Sequence, residues 1–325
     1  MRCMTDADDR RSVRLDAASI QCTSGTKDAG NDMEEITVKA YGKLNLCLDV
    51  TGKREDGYHL VKMIMQTVDI YDTVTIRPAA SGEITLHTNS GDIPAGPDNL
   101  VFRAADLMRR EFHLPGGFDI TLIKRIPIAA GMAGGSADAA AVMRGIRDLM
   151  CGEVTDEKLE KLSLPLGADI PYCIQGGTKL CEGIGEVLTE LPPMPDCFLV
   201  VVKPDIFVST PWVYREYDSI PEDQIRHPDV DAMARAIRQE DLPAMAALCG
   251  NVLEQKTGAA YPVIGELEAF LLRQGAITSI MTGSGPTVFG IFTEQQAAVK
   301  AKDALDAVPE YSAFQKFVTK RTSGD

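Results

Sequence analysis

Three glycines and a serine lie close together in the segment Pro127-Ile-Ala-Ala-Gly-Met-Ala-Gly-Gly-Ser-Ala, between a predicted strand and a predicted helix. Glycine lets backbone N–H groups turn toward one point and lets a bulky anion approach them closely. The helix predicted to begin near Ser136 adds unpaired first-turn N–H groups and the positive end of its dipole. The segment is therefore a candidate phosphate-binding loop. On this chemistry alone, a glycine-rich connector with Ser136 as an ordinary helix N-cap remains equally open.

The two commonest nucleotide-binding loops do not fit this segment. No Gly-Lys-Ser or Gly-Lys-Thr follows the glycines, as a P-loop requires, and the spacing differs from Gly-x-Gly-x-x-Gly. Any nucleotide bound here must therefore be held by a different loop geometry.

The loop pattern Pro-x-x-x-Gly-x-x-Gly-Gly-Ser-x-Asp-Ala-Ala resembles the signature of the GHMP kinase superfamily of small-molecule ATP kinases. Two further stretches occur in the order expected for that superfamily, namely Ala40-Tyr-Gly-Lys-Leu-Asn-Leu and Thr282-Gly-Ser-Gly-Pro-Thr-Val-Phe. Three ordered motifs are more specific than one, and the resemblance extends from about Lys39 to Phe317. It implies a two-domain α+β fold, with an N-terminal half like ribosomal protein S5 domain 2 and a ferredoxin-like C-terminal half.

Further stretches are similar to one branch of the superfamily, which phosphorylates a cytidine diphosphate sugar alcohol in non-mevalonate isoprenoid precursor synthesis. They are Gly42-Lys-Leu-Asn-Leu, Gly52-Lys-Arg-Glu-Asp-Gly-Tyr-His, Leu166-Gly-Ala-Asp-Ile-Pro and Cys181-Glu-Gly-Ile-Gly-Glu. The resemblance implies transfer of the ATP γ-phosphate to a tertiary hydroxyl of that acceptor. A mevalonate-type or homoserine-type kinase and a catalytically silent ligand-binding protein of the same fold remain alternatives.

The resemblance also implies roles for particular residues. Asp169 would take the hydroxyl proton as general base, and Lys43 would keep Asp169 ionised and stabilise the alkoxide. Without the family, Asp169 before Ile170-Pro171 is an ordinary turn residue and Lys43 a solvated strand lysine. The residues expected to bind ATP are Pro127, Ile128, Ala129, Ala130, Gly131, Met132, Ala133, Gly134, Gly135, Ser136 and Ala137. Residues 283–286 would close over the phosphates or the acceptor, or form only a tight turn between two strands.

The cytidine end of the acceptor needs an aromatic face and a hydrogen-bonding ring. By resemblance, Tyr58 stacks on the cytosine, His59 binds its polar edge and Tyr214 completes the sandwich, with Trp212 as a competing candidate. A core tyrosine and a surface histidine are the ordinary alternatives for the first two. Asn45 is expected to hydrogen-bond the sugar alcohol, or else to be a polar strand residue facing solvent.

The loop departs from the family pattern at four alanines. Ala129, Ala130 and Ala133 stand where glycines often occur, and they are expected to require ordinary backbone angles that constrain the loop slightly. Ala137 replaces a second serine, so any hydroxyl contact to phosphate would come from Ser136. The backbone N–H donors are unaffected by these changes. Mg²⁺ is expected to arrive with the nucleotide, because no carboxylate constellation in the sequence indicates a metal cage.

Apolar periodicity predicts the elements that must position these residues. The predicted strands cover residues 36–50, 61–70, 72–77, 83–88, 118–123, 198–202, 277–281, 287–292 and 313–318. The predicted helices cover residues 99–113, 136–150, 155–164, 229–239, 242–253, 264–274 and 294–308. A Pro-rich stretch at 191–196 suggests a boundary between an N-terminal domain at 35–190, which carries the ATP loop, and a C-terminal domain at 191–320. Residues 1–34 lack periodicity and read as a disordered tail, or as a mis-called start with Met33 as the true one.

Composition excludes several classes of partner. The formal net charge of -14 over 325 residues argues against nucleic acid, whose phosphates require surplus Lys and Arg. No run approaches the roughly 18 apolar residues that span a bilayer. The eight cysteines show no Cys-x-x-Cys and no metal-ligand spacing, which favours buried reduced thiols and a cytoplasmic location. ATP and the acceptor alcohol are thus the expected partners of a monomer or homodimer.

Overall fold

The computed structural model describes residues 34–324, so the expectations for the tail before Glu34 lie outside the described residues. The strands are β1 (Ile36–Lys53), β2 (His59–Ala79), β3 (Ile84–Thr88), β4 (Gly117–Ile123), β5 (Thr178–Glu182), β6 (Val187–Glu190), β7 (Phe198–Lys203), β8 (Gly250–Asn251), β9 (Thr278–Met281), β10 (Val288–Phe292) and β11 (Gln315–Thr319). The helices are α1 (Leu100–Glu111), α2 (Gly134–Met150), α3 (Asp156–Ser163), α4 (Ile170–Gln175), α5 (Thr210–Tyr217), α6 (Val230–Arg238), α7 (Leu242–Ala247), α8 (Glu254–Ala260), α9 (Val263–Arg273) and α10 (Gln295–Asp306).

A long antiparallel hairpin of β1 and β2 is the centre of a seven-stranded sheet. β4 and β5 both pair with β2, at different stretches of it, and β3 and β6 extend the sheet beyond them. The two strands predicted at 61–70 and 72–77 are one continuous strand, because Tyr71 stays in register opposite Tyr41. Register shifts on either side of Lys43 and Asn45 place irregular pairing next to these two residues, as is common beside active sites.

The second sheet has four antiparallel strands in the order β11-β7-β10-β9. Counted within this sheet, the order is 4-1-3-2, with α9 preceding β9 and α10 connecting β10 to β11. This is the β-α-β-β-α-β arrangement of a ferredoxin-like half, and it confirms the α+β class. The position of the domain boundary near residue 191 stays a prediction.

The helix predicted over residues 242–253 is wrong in its second half. α7 ends at Ala247, and Gly250–Asn251 forms a short parallel pairing with Cys47 and Leu48 of β1. The Asn251 amide donates hydrogen bonds to the carbonyl oxygens of Met281 and Gly283, at 2.9 and 2.8 Å. These tertiary contacts override a local pattern that reads as helix. The elements β5, β6, α4, α5 and α8 were not predicted from the sequence.

Candidate active site

The glycine-rich loop leads directly into α2, which begins at Gly134, two residues earlier than predicted. Ser136 is therefore the third residue of the helix and not its N-cap, so that alternative is wrong. The N-cap position is Ala133, which offers no side chain to the first-turn N–H groups. Beneath the loop, α2 packs on the sheet through residues such as Ala139, Ala140 and Ala141, which are fully buried. The helix thus presents uncapped N–H donors at a fixed position, as a phosphate requires.

Two alanines of the loop adopt left-handed backbone angles, with φ of 51° at Ala129 and 56° at Ala133. The expectation that alanines here hold ordinary angles is wrong for these two residues. Left-handed conformations at non-glycine residues cost of order 1–3 kcal/mol and persist where surrounding structure imposes them. The loop shape is therefore maintained by its packing, because the sequence lacks glycines that would adopt these angles without strain.

Nine of the eleven predicted ATP-binding residues line a cavity of about 470 Å³. The exceptions are Met132 and Ala137, whose side chains are 1% and 2% exposed and pack into the core. The cavity is also lined by Lys43, Asn45 and Asp169, which the sequence places far apart. One cavity therefore contains the loop and the residues expected to do chemistry.

Lys43 is buried, with 5% of its surface exposed, and its ammonium group lies between two acceptors. Nζ donates to Oδ1 of Asn45 at 2.5 Å and to the carbonyl oxygen of Gly131 at 2.8 Å. Burial lowers the pKa of Lys43, and the Asp169 carboxylate raises it in part. An ammonium group has three donors, so the position permits one more contact, to a substrate oxygen or to Asp169.

Asp169 occupies the residue before α4, and its side chain makes no capping hydrogen bond to that helix. Its backbone carbonyl accepts from the Cys173 N–H at 3.1 Å, which fixes the main chain. The carboxylate lies close to Gly185 of the β5–β6 hairpin, since a Cβ built on that glycine would sit 4.0 Å from Oδ1. The oxygens of Asp169 are thus held at the cavity wall with capacity to accept a hydroxyl proton.

The glycine-rich loop and the segment that begins at Thr282 meet at two glycines in close backbone contact. A Cβ added to Gly131 would lie 2.4 Å from the carbonyl oxygen of Thr282, and one added to Gly283 would lie 2.9 Å from the carbonyl oxygen of Gly131. Both glycines have positive φ, of 71° and 59°. Gly283 and Ser284 line the cavity beside the glycine-rich loop, whereas Gly285 and Pro286 do not, and closure of residues 283–286 over a substrate stays a prediction.

The residues predicted for the cytidine end occupy different surroundings. Tyr214 lines the cavity, and its ring stacks on that of His59 with centroids 4.8 Å apart and planes 26° apart. Tyr58 is 60% exposed beside them. Trp212 instead packs edge-on against Tyr261, with ring centroids 5.9 Å apart, and does not line the cavity. Tyr214 is therefore better placed than Trp212 to contact a ligand there.

A buried charged cluster, in which Lys124 and Asp138 line the cavity, was not anticipated from the sequence. Nζ of Lys124 lies 2.5 Å from Oδ2 of Asp72 and 2.7 Å from Oδ2 of Asp138. Asp72 also accepts from the backbone N–H groups of Arg125 and Ile126. Nearby, the wall includes Ile93, Pro94 and Leu100, an apolar stretch suited to a nucleotide base. Only the Asp in the loop motif signalled this cluster, since its partners are 14 and 66 residues away.

Comparison with known sequences indicates the family to which this chain belongs. Residues 99–177 match the family described as GHMP kinases N terminal domain, and residues 233–310 match GHMP kinases C terminal. A relative from Lachnoclostridium phytofermentans, named 4-diphosphocytidyl-2-C-methyl-D-erythritol kinase, is 48% identical over 83% of this chain and 92% of its own length. One from Lachnospira eligens with the same name is 46% identical over 84% of this chain and 94% of its own length.

A solved structure whose title names the same kinase also matches this chain. A crystal structure of 4-(cytidine 5'-diphospho)-2C-methyl-D-erythritol kinase superposes with a TM-score of 0.74 at 32% identity, covering 88% of this chain and 99% of that one. Fold, loop and family matches define an ATP-dependent small-molecule kinase of the GHMP type. Within that class, the chain belongs to the 4-diphosphocytidyl-2-C-methyl-D-erythritol kinase family.

Proposed function

We propose that this protein transfers the γ-phosphate of ATP to the 2-hydroxyl of 4-diphosphocytidyl-2-C-methyl-D-erythritol, a step in isoprenoid precursor synthesis. The observation that carries the proposal is the shared cavity, in which Lys43 and Asp169 face the start of α2 and its glycine-rich loop. Tyr214 lines this cavity and offers an aromatic ring to a pyrimidine, while His59, which stacks on Tyr214, does not itself line the cavity.

Phosphoryl transfer depends mainly on positioning and on charge stabilisation. The uncapped N–H groups at the start of α2 would hold the phosphates of ATP, while Asp169 accepts the proton of the acceptor hydroxyl. Lys43 would stabilise the alkoxide as it forms and favour the ionised form of Asp169. Asn45 and Gly131 hold the ammonium of Lys43 from two sides, so little reorganisation is needed when the substrates bind.

Mg²⁺ is proposed to accompany ATP. Within residues 34–324, no three or more metal-ligating side chains converge into a protein cage. Asp138 lines the cavity, and its Oδ2 is paired with Lys124, while its buried Oδ1 has no hydrogen-bond partner among the described residues. This donor set suits an ion that stays on the phosphates and keeps several waters, as Mg²⁺ commonly does.

A cytoplasmic location is proposed on the state of the thiols. Five of the described cysteines form no disulfide, namely Cys47, Cys173, Cys181, Cys197 and Cys249. Burial raises the pKa of Cys197 and of Cys249 to about 12, which keeps these two protonated and unreactive. No helix in the described part of the chain is long and apolar enough to cross a membrane.

The catalytic assignment is tested by Asp169→Asn. General-base catalysis typically contributes about 10²–10⁴ in rate, so kcat should fall by at least about 10²-fold while ATP affinity changes little. The matched control is Asp303→Asn on α10, an exposed aspartate outside the cavity, which should keep full activity. Retention of more than about a tenth of wild-type kcat by Asp169→Asn would overturn its role as the base.

The choice of acceptor is tested with ATP and a panel of alcohols, following ADP release. We expect turnover with the cytidyl substrate and none with mevalonate or homoserine. Turnover of either of the latter in preference to the cytidyl substrate would favour another GHMP kinase activity. Binding of ATP with no turnover of any acceptor would favour a silent ligand-binding protein.

A further inference from the structure

His59 is held by a residue of α5 and by the residue that follows this helix. Tyr214 of α5 stacks on the face of the imidazole, and Asp218, the C-cap residue directly after α5, contacts its edge. Oδ1 of Asp218 lies 2.6 Å from Nε2 of His59, while Oδ2 of Asp218 lies 2.5 Å from Nζ of Lys53. Residues four apart on a helix lie on the same side, so Tyr214 and Asp218 together fix both the plane and the rotation of the ring.

The contact with Asp218 determines which nitrogen of His59 carries a proton. Partial burial raises the pKa of Asp218, but the hydrogen bonds from Lys53 and His59 outweigh it and lower that pKa, so the carboxylate is ionised. An ionised carboxylate only accepts hydrogen bonds, and Nε2 must therefore donate. In the neutral ring, Nδ1 is then left as an acceptor.

We propose that Asp218 is a positioning residue that makes the site prefer cytosine to uracil by fixing the tautomer of His59. Cytosine carries an amino donor at C4, where uracil carries a carbonyl acceptor. An imidazole with Nδ1 as acceptor pairs with the amino group and faces the uracil carbonyl with a second lone pair. This inference rests on the proposed function, because it assumes that the pyrimidine meets His59.

The size of the preference follows from the cost of a mismatched polar contact. One good polar pair to a base edge discriminates by about 10- to 100-fold, and a site built for a donor rejects an analogue that lacks it. Without Asp218, His59 can place its proton on either nitrogen and can adapt to either base. The preference should therefore shrink, mainly through weaker binding of the cytidine ligand.

The test measures the dissociation constants of CDP and UDP by calorimetry, so it does not depend on turnover. The wild type should bind CDP at least about 10-fold more tightly than UDP, and Asp218→Ala should reduce that ratio to within about 3-fold. Asp218→Asn should restore part of the preference, since its amide oxygen can still accept from Nε2. The matched control is Asp231→Ala, which removes an exposed carboxylate paired with Lys62 at 2.7 Å and should leave the ratio unchanged.

The outcomes separate this inference from the proposed function. A wild type that binds CDP and UDP equally, or an Asp218→Ala variant that keeps the full preference, would overturn the tautomer assignment. A wild type that prefers CDP, loses the preference in Asp218→Ala and still phosphorylates no cytidyl alcohol would support the inference and overturn the proposed kinase activity. Thermal unfolding of each variant shows whether a lost preference reflects a lost fold.

Discussion

The ammonium of Lys43 donates a 2.5 Å hydrogen bond to the amide oxygen of Asn45, two residues further along β1. Alternate residues of a strand share a face, so the strand itself brings the pair together. Asn45 is also tied to the third motif, because its backbone N–H donates to Oγ1 of Thr282 at 2.8 Å. Asn45 therefore positions Lys43, and its predicted contact with the sugar alcohol stays a prediction.

Asn45→Asp should change the pH dependence of the enzyme. Burial lowers the pKa of Lys43 and the Asp169 carboxylate opposes that effect, so a second carboxylate at position 45 should raise the pKa further. If charged Lys43 is the active form, activity is lost as pH rises through its pKa, and the alkaline limb of kcat/KM should move to higher pH in the variant. Gln296→Glu, which adds a carboxylate at an exposed position of α10, should leave that limb in place. An unmoved limb in Asn45→Asp would show that Lys43 does not control it.

The family resemblance, carried by contiguous motifs, predicted which residues share one cavity, whereas their roles in catalysis stay a prediction. The loop at residues 127–137, with Lys43 and Asp169, was predicted as one site, and nearly all of these residues line one cavity. The left-handed angles of Ala129 and Ala133 could not be predicted, because alanine locally disfavours them and only the surrounding contacts impose them. The Asp218–His59 contact was missed for a related reason, since 159 residues separate its partners.

The strand boundaries, too, could be predicted only where the local sequence pattern determines them. Periodicity predicted β1, β4, β7, β9 and β10 to within a few residues, since each alternates or is uniformly apolar. It divided β2 at Tyr71, before the polar residues Asp72 and Thr73, yet cross-strand pairing with Tyr41 continues there. It missed β5 and β6 because these short strands follow no clear local pattern: β5 is fixed by pairing with β2, and β6 by pairing with β5.

Gly131→Ala should disrupt the contact between the glycine-rich loop and the segment that begins at Thr282. The added Cβ would lie 2.4 Å from the carbonyl oxygen of Thr282, a backbone atom that cannot rotate away, and the residue would also retain a positive φ. We expect a loss of about 2–4 kcal/mol in the free energy of unfolding, or a displaced loop with ATP binding weakened by at least about 10-fold. Urea unfolding and nucleotide titration distinguish the two outcomes.

The control for this glycine is Gly265→Ala in α9, where an added Cβ meets no atom within 4 Å. Alanine is favoured over glycine in a helix by about 0.5–1 kcal/mol, so this variant should be slightly more stable than the wild type. A Gly131→Ala protein with wild-type stability and ATP affinity would mean that the two loops are further apart in solution.

Lys124→Met should destabilise the fold strongly. The ammonium of Lys124 separates the carboxylates of Asp72 and Asp138, whose side chains are 0% and 4% exposed. Breaking a buried pair by removing one partner typically costs about 3–5 kcal/mol, since the remaining charges are left uncompensated. Burial raises the pKa of Asp138 to about 8, so urea unfolding should show this loss above pH 8 and a smaller one at pH 5, where Asp138 is protonated. Lys62→Met, which removes an exposed ion pair with Asp231, should cost less than about 1 kcal/mol.

Glu268→Gln should stabilise the protein at alkaline pH. Burial and the neighbouring Glu254 raise the pKa of Glu268 to about 8, and Oε1 of Glu268 has no hydrogen-bond partner among the described residues. Because the folded pKa exceeds the ordinary value of 4.5, the native state binds more protons between these values, and wild-type stability should fall as pH rises from about 4.5 through about 8.

Glutamine cannot ionise, so in the variant this residue should no longer make the free energy of unfolding fall as the pH rises. Its free energy of unfolding at pH 9 should exceed that of the wild type by about 1–2 kcal/mol, a discounted figure because the side chain keeps some solvent contact. Glu254 should still accept the Met281 N–H at 2.8 Å, so the backbone directly before Thr282 should keep its position. The matched control is Glu266→Gln, an exposed residue of the same helix, which should follow the wild type. Parallel stability curves for Glu268→Gln and wild type between pH 5 and 9 would contradict the raised pKa.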